Sequence, residues 1–275
     1  MTPAPIALTG VTLRRGGRDI VRGLTGIFAP GSLTAVAGPN GAGKSTLLQT
    51  LAGLRPPAAG RIEGAGDSAL LAQDGRLERG FPIAVRDAVA LGATARTGLF
   101  RRIGPEANRA ADAALQAAGL SGLGARPIGE LSAGQFQRVL FARTMVRDAP
   151  IVLLDEPFAA VDAATEASLM DIVRAWHREG RTVIAVLHDA DLIRDAFPQT
   201  LLLGSDRPAW GPTAEVLPRR RARAVIVAGP VPVAVADPVA TIGVSPVAAA
   251  SAALAPVSST GTSSPSTPWA AEAAA

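Results

Sequence analysis

The stretch Ala37-Gly38-Pro39-Asn40-Gly41-Ala42-Gly43-Lys44-Ser45-Thr46 holds the only lysine in a chain of 275 residues; the other 26 members of the Lys and Arg set are arginines. A compact, rotatable ammonium is not interchangeable with a planar guanidinium fork, so this position asks for a point charge. Gly38 to Ser45 reads G-x-x-x-x-G-K-S, the Walker A spacing of a phosphate-cradling loop. Glycines are required there because backbone N–H groups must turn inward and approach a phosphate chain closely. Leu33 to Ala37 reads as a short apolar strand, and Ser45 to Leu51 has helical spacing. Strand, glycine loop and helix N-terminus together favour an anion. Gly38, Pro39, Asn40, Gly41, Ala42, Gly43, Lys44, Ser45 and Thr46 are therefore expected to hold a nucleotide. Lys44 would sit on its β- and γ-phosphates and Ser45 on Mg²⁺.

Composition limits the company this loop keeps. The net charge of +4 is modest for the length, the arginine pairs lack interleaved aromatics, and Tyr is absent. Nucleic acid is thus not an expected partner. With no cysteine there is no disulfide framework, thiolate zinc site or cysteine nucleophile. Met1 to Pro5 carries no basic run followed by an apolar one, so no signal peptide is expected.

A phosphate loop alone leaves kinases, GTPases, recombinases and transport ATPases open. The apolar run Ile151-Val152-Leu153-Leu154 narrows the field, because it ends in Asp155-Glu156. It reads as a buried parallel strand that delivers two carboxylates at its C-terminal end, where open α/β sheets place their ligands. Asp155 would hold Mg²⁺, and Glu156 would polarise an attacking water beside the γ-phosphate. Twenty-three residues before Asp155, Ser132 opens Leu131-Ser132-Ala133-Gly134-Gln135. Ser132 reads as the N-cap of a helix from Gln135 to Arg147. A hydroxyl, glycine-exposed N–H groups and a helix N-terminus make a second anion site.

Leu-Ser-x-Gly-Gln resembles the signature of the ATP-binding cassette (ABC) ATPases, usually Leu-Ser-Gly-Gly-Gln. The resemblance extends along the chain from about Ile6 to Leu217. Leu70-Leu71-Ala72-Gln73 looks like the Q-loop, which makes Gln73 a catalytic residue that also senses Mg²⁺. Phe158-Ala159-Ala160-Val161-Asp162 matches the D-loop, with Asp162 its aspartate. Val183 to Asp189 is a buried strand ending in His188, which resembles the switch histidine, whereas His177 is expected to be an exposed helix residue. The family implies hydrolysis of ATP with Mg²⁺ by Glu156, His188 and Gln73. It also implies a homodimer in which the Walker A loop of one copy faces Ser132 and Gly134 of the other.

Two positions depart from the pattern. Ala133 stands where the signature usually has glycine. A required positive φ would cost about 1 kcal/mol there, and a negative φ would cost nothing. Arg15 stands where cassettes usually stack an aromatic ring on adenine; a guanidinium can also stack on a purine face.

The implied fold class is α/β, a P-loop NTPase of ABC ATPase type with a helical subdomain and an N-terminal antiparallel β subdomain. The cassette is expected over 1–218, with the helical subdomain at about 74–147. Gln73 and Leu131 are separated by 57 residues, a length that suits a transporter cassette. One cassette without spanning helices is similar to the separate ATPase subunit of a bacterial importer. That implies a peripheral protein at the cytoplasmic face of the inner (plasma) membrane, integral-membrane permease subunits as partners, and a solute-binding protein indirectly. Gly80 to Gly92, Gln135 to Arg143 and Glu156 to Asp162 are similar to the zinc/manganese-type cassettes. An exporter cassette, a soluble non-transport ABC ATPase and a non-hydrolytic nucleotide-binding regulator remain as alternatives at this point.

Beyond the cassette, 219–275 is expected to be a low-complexity, disordered tail. Ala224 to Ala275 contains seven Pro, three Gly and seven Ser, and only Asp237 and Glu272 are charged. Pro238, Pro246 and Pro256 interrupt the uncharged run that would otherwise raise the question of a membrane span.

Overall fold

The computed structural model describes residues 4–72, 80–94, 104–204 and 208–218, all within the compact unit Met1–Ala222. Gln73 and the tail expected at 219–275 lie outside the described residues. The first strands are β1 (Ile6–Arg15), β2 (Arg18–Phe28) and β3 (Leu33–Ala37), followed by helix α1 (Lys44–Leu51). Next come β4 (Ala59–Glu63), β5 (Ser68–Leu71), α2 (Val85–Ala90), α3 (Pro105–Ala117) and α4 (Ala133–Arg147). The second half adds β6 (Ile151–Asp155), α5 (Ala163–Arg178), β7 (Thr182–Val186) and α6 (Ala190–Ala196). Strands β8 (Gln199–Leu202) and β9 (Ala209–Pro212) and the short α7 (Thr213–Val216) complete the described chain.

Two sheets result. The antiparallel sheet has the order β2-β1-β4, and the larger one has the order β5-β6-β7-β3-β8-β9. In the larger sheet only the β8–β9 pairing is antiparallel. This is the α/β class and the N-terminal antiparallel sheet that the sequence led us to expect.

The central strands show why they are apolar throughout. Val36, Ile151, Leu153, Ile184 and Val186 point into one core, shared with β1, β2 and α1. Their alternating neighbours Ala35, Val152, Leu154, Val183 and Ala185 point into another, shared with α5 and α6. With both faces covered, a strand of period two must be apolar at every position. A third core is built on the helices: Val85 and Val89 of α2, Ala111 and Leu115 of α3 and Val139 and Val146 of α4 share it with Leu120 and Leu131 of the connections. The helices α2, α3 and α4 therefore share an interior of their own.

Candidate functional site

Strands β6, β7 and β3 are adjacent and parallel, so their C-terminal ends share one rim of the sheet. Each delivers part of the site there. From β3 the chain enters the glycine loop at Gly38, whose φ is 142°. A Cβ at Gly38 would lie 2.4 Å from the Leu203 carbonyl oxygen, so only glycine fits this turn out of the strand.

The loop leads into α1 at Lys44, which is only 6% exposed. Its Nζ donates to the carbonyls of Gly38 and Pro39 at 2.9 and 3.0 Å. Burial pushes the ammonium pKa down, and the carboxylates of Glu156 and Asp155 pull it back up. One residue on, Ser45 Oγ donates to Asp155 Oδ1 at 3.1 Å, which joins the start of α1 to the end of β6. The Asp155 side chain is buried.

Glu156 leaves β6 in a left-handed conformation, with φ of 50°. A side chain there carries about 1–2 kcal/mol of strain. Its N–H donates to the Val186 carbonyl at 3.2 Å, and its own carbonyl accepts from the Ala159 N–H at 3.2 Å. The result aims the carboxylate at the end of β7, where Glu156 Oε1 lies 2.7 Å from His188 Nε2. Glu156, His188, Lys44, Asn40 and Arg15 line one cavity of about 450 Å³, together with Ile20. Arg15 reaches it from the end of β1. Ser45 also borders a larger cavity of about 790 Å³, whose lining includes Asp155, Leu54, Leu91 and Thr94.

The segment expected to make a second anion site stands elsewhere, and its serine forms the helix cap that the sequence suggests. Ser132 caps α4: its Oγ accepts from the Gln135 N–H at 3.2 Å, and the Gln135 side-chain oxygen accepts from the Ser132 N–H at 3.0 Å. The helix begins at Ala133, two residues earlier than expected. Ala133 is not among the described residues with positive φ, so its Cβ carries no backbone strain. Asp162 caps α5, accepting from the Thr165 N–H at 2.9 Å and from its hydroxyl at 3.0 Å. Those bonds, the backbone one first, hold its carboxyl below the usual carboxylate range. Ser132, Gly134 and Asp162 line neither cavity.

His177 departs from expectation. It is half-buried, and its Nδ1 is buried with no hydrogen-bond partner. Sequence reading also passed over Ile20, Thr165 and Gln137. The first two are an unremarkable strand isoleucine and helix threonine. Gln137 has a positional signal: it lies three residues after Gly134 and four before Phe141, on the same stripe of α4.

The family model described as ABC transporter matches residues 21–159. The manganese transport system ATP-binding protein MntB of Bacillus subtilis is 37% identical over 220 residues, which is 77% of this chain and 88% of that protein. The chain belongs to the ABC transporter family. It is an ATP-binding cassette, an ATPase, and ATP is the ligand its family implies for the phosphate loop. The zinc transport system ATP-binding protein TroB of Treponema pallidum is also 37% identical to the cassette, over 181 residues, 63% of this chain and 68% of that one. Among solved structures, a transporter described as of the metal-chelate type, in an inward-facing conformation, superposes with a TM-score of 0.71 at 27% identity. That match covers 77% of the cassette's chain and 84% of the other. Among the described residues, no helix of the cassette is long and apolar enough to cross a membrane.

Proposed function

We propose that this cassette is the ATP-hydrolysing subunit of a bacterial import system for a divalent metal, manganese or zinc, acting as a homodimer on a separate membrane permease. The observation that carries the metal reading is the 37% identity, over most of the chain, to a manganese transport ATP-binding protein. What supports the chemistry is the single cavity in which Lys44, Glu156 and His188 converge.

In this reading Lys44 gives up its two carbonyl partners to bind the β- and γ-phosphates, which are better acceptors for an ammonium. Ser45 and Asp155 fit a magnesium ion: two oxygen donors already 3.1 Å apart suit a hard cation that takes its remaining ligands from water and phosphate. Bound there, Mg²⁺ would supply charge neutralisation at the transferring phosphoryl group. Glu156 accepts a proton from the attacking water and His188 holds the carboxylate's orientation. Gln73 is assigned to this site by the family pattern, and Arg15 to the adenine face. Ser132, Gly134 and Asp162 stand away from the cavity, which supports a site completed by a second copy rather than within one chain. The permease would sit at the cytoplasmic membrane against the larger cavity and the surface around Phe81, which is 60% exposed.

The test is transport in sealed vesicles holding the cassette with its membrane partner. With ATP on the cassette's side, manganese or zinc should accumulate on that same side. Movement away from the cassette would make it an exporter. Intact ATP hydrolysis without flux of either metal would remove the metal reading.

A further inference from the structure

One stripe of α4 holds the segment that carries Glu156. Gln137 Nε2 donates to the Pro157 carbonyl at 2.6 Å, across 20 residues of sequence. One turn further along, the Phe141 ring lies 6.4 Å from that of Phe158, tilted by only 26°. One turn before, Gly134 faces Thr165 so closely that a Cβ would lie 3.2 Å from its hydroxyl. Gly134, Gln137 and Phe141 recur at i, i+3 and i+7, the spacing of a single helix face. Their partners Pro157, Phe158 and Thr165 follow one another along the segment that runs from β6 into α5.

That segment needs outside support. Glu156 and Ala160 both have positive φ, 50° and 58°, which neither side chain favours. Such conformations persist where the surroundings over-determine them. Of the three contacts, the Gln137 bond is the directional one. It holds the carbonyl of Pro157, the residue next to Glu156, against α4. The same helix begins at the Ser132 cap.

We infer that Gln137 is a positioning residue that links the two ATP sites: through the Pro157 carbonyl it ties the Glu156 turn of one site to the α4 N-terminus that completes the other. This rests on the two-fold homodimer proposed above. When ATP in the second site engages Ser132 and Gly134, α4 moves as a rigid rod. The bond transmits that movement to the Glu156 turn of the first. Catalytic competence in one site then depends on occupancy of the other.

The experiment uses the full chain and Mg-ATP. Gln137→Leu should lower kcat about tenfold or more while KM for ATP stays within about twofold, the pattern of a lost positioning of the catalytic group with substrate binding intact. Its Hill coefficient for ATP should fall toward one. Gln137→Glu has the same shape, but an ionised carboxylate cannot donate to a carbonyl. Its activity relative to the parent protein should therefore be low at neutral pH and rise as the pH is lowered and the acid regains its proton. A purely structural role would give a lowered melting temperature and a pH-independent ratio, and either result overturns the inference, as does a normal kcat in Gln137→Leu. Size exclusion of Glu156→Gln with Mg-ATP separates the two layers of reasoning. A dimer there with normal Gln137→Leu kinetics sinks the coupling alone, whereas a monomer sinks the dimer reading and the coupling with it.

Discussion

Lys44 is buried against two backbone carbonyls of its own loop, and this explains why one lysine persists in a chain otherwise furnished with arginine. A pair of carbonyls 2.9 and 3.0 Å from one nitrogen suits three rotatable donors on a point charge. A guanidinium is wider and flat, and its fork does not fit a cradle of two carbonyls converging on one nitrogen. Lys44→Arg should therefore lose measurable ATP affinity although the charge is kept; titration with a fluorescent ATP analogue reads this directly, and unchanged affinity would make the lone lysine incidental. Glu156 presents the opposite balance, a strained backbone retained for what its side chain does. Glu156→Gln keeps the size and the turn but cannot take a proton. Turnover should fall by about 10²–10⁴-fold with ATP binding intact, and steady-state hydrolysis compared with nucleotide titration would separate the two.

At the level of elements, the caps settle the question raised by the atypical signature. Because Ala133 opens α4 with no positive φ, alanine is the better residue there, not a defect. Ala133→Gly should lower stability by about 0.5–1 kcal/mol and leave kcat no higher; a clear gain in kcat would show that the signature needs a conformation that alanine denies. The parts of the fold legible in the sequence were those with a local cause. β3, β6 and β7 could be read because strands covered on both faces must be apolar throughout, and α4 because Ser132 reads as an N-cap ahead of a helical run. The left-handed turn at Glu156 was not legible, since neither Glu nor the following Pro announces a positive φ. Nor was the Gln137–Pro157 bond, which depends on how α4 lies across the end of β6. His177 was readable but overlooked: it is four residues after the buried Val173 and so borders the buried stripe of α5.

At the scale of the whole molecule, the residues assigned to the ATP site fall in two places. Lys44, Glu156 and His188 share a cavity, while Ser132 and Asp162 cap helices outside it. Motif order carries no distances, so that one chain keeps the two halves apart was an implication of the family resemblance and not of the spacing. In the proposed two-fold dimer each chain gives its Glu156 to one site and its Ser132 to the other, as an isologous interface requires. This arrangement predicts complementation between two inactive chains. Ser132→Arg places a long side chain at the cap that must meet phosphate, and a homodimer of it spoils both sites. Glu156→Gln spoils both by removing the base. A mixed dimer contains one site with an intact Glu156 from the first chain and an intact Ser132 from the second. Mixing the two purified variants should therefore restore part of the ATP hydrolysis that neither has alone, at the lowered rate of a site whose neighbour cannot engage α4, with a maximum near equal proportions. Differently tagged chains allow co-capture with Mg-ATP to establish that the copies have exchanged. If mixed dimers are captured and hydrolysis stays absent at every ratio, the two halves do not work across a dimer, and the assignment of Ser132 to a partner's nucleotide is wrong.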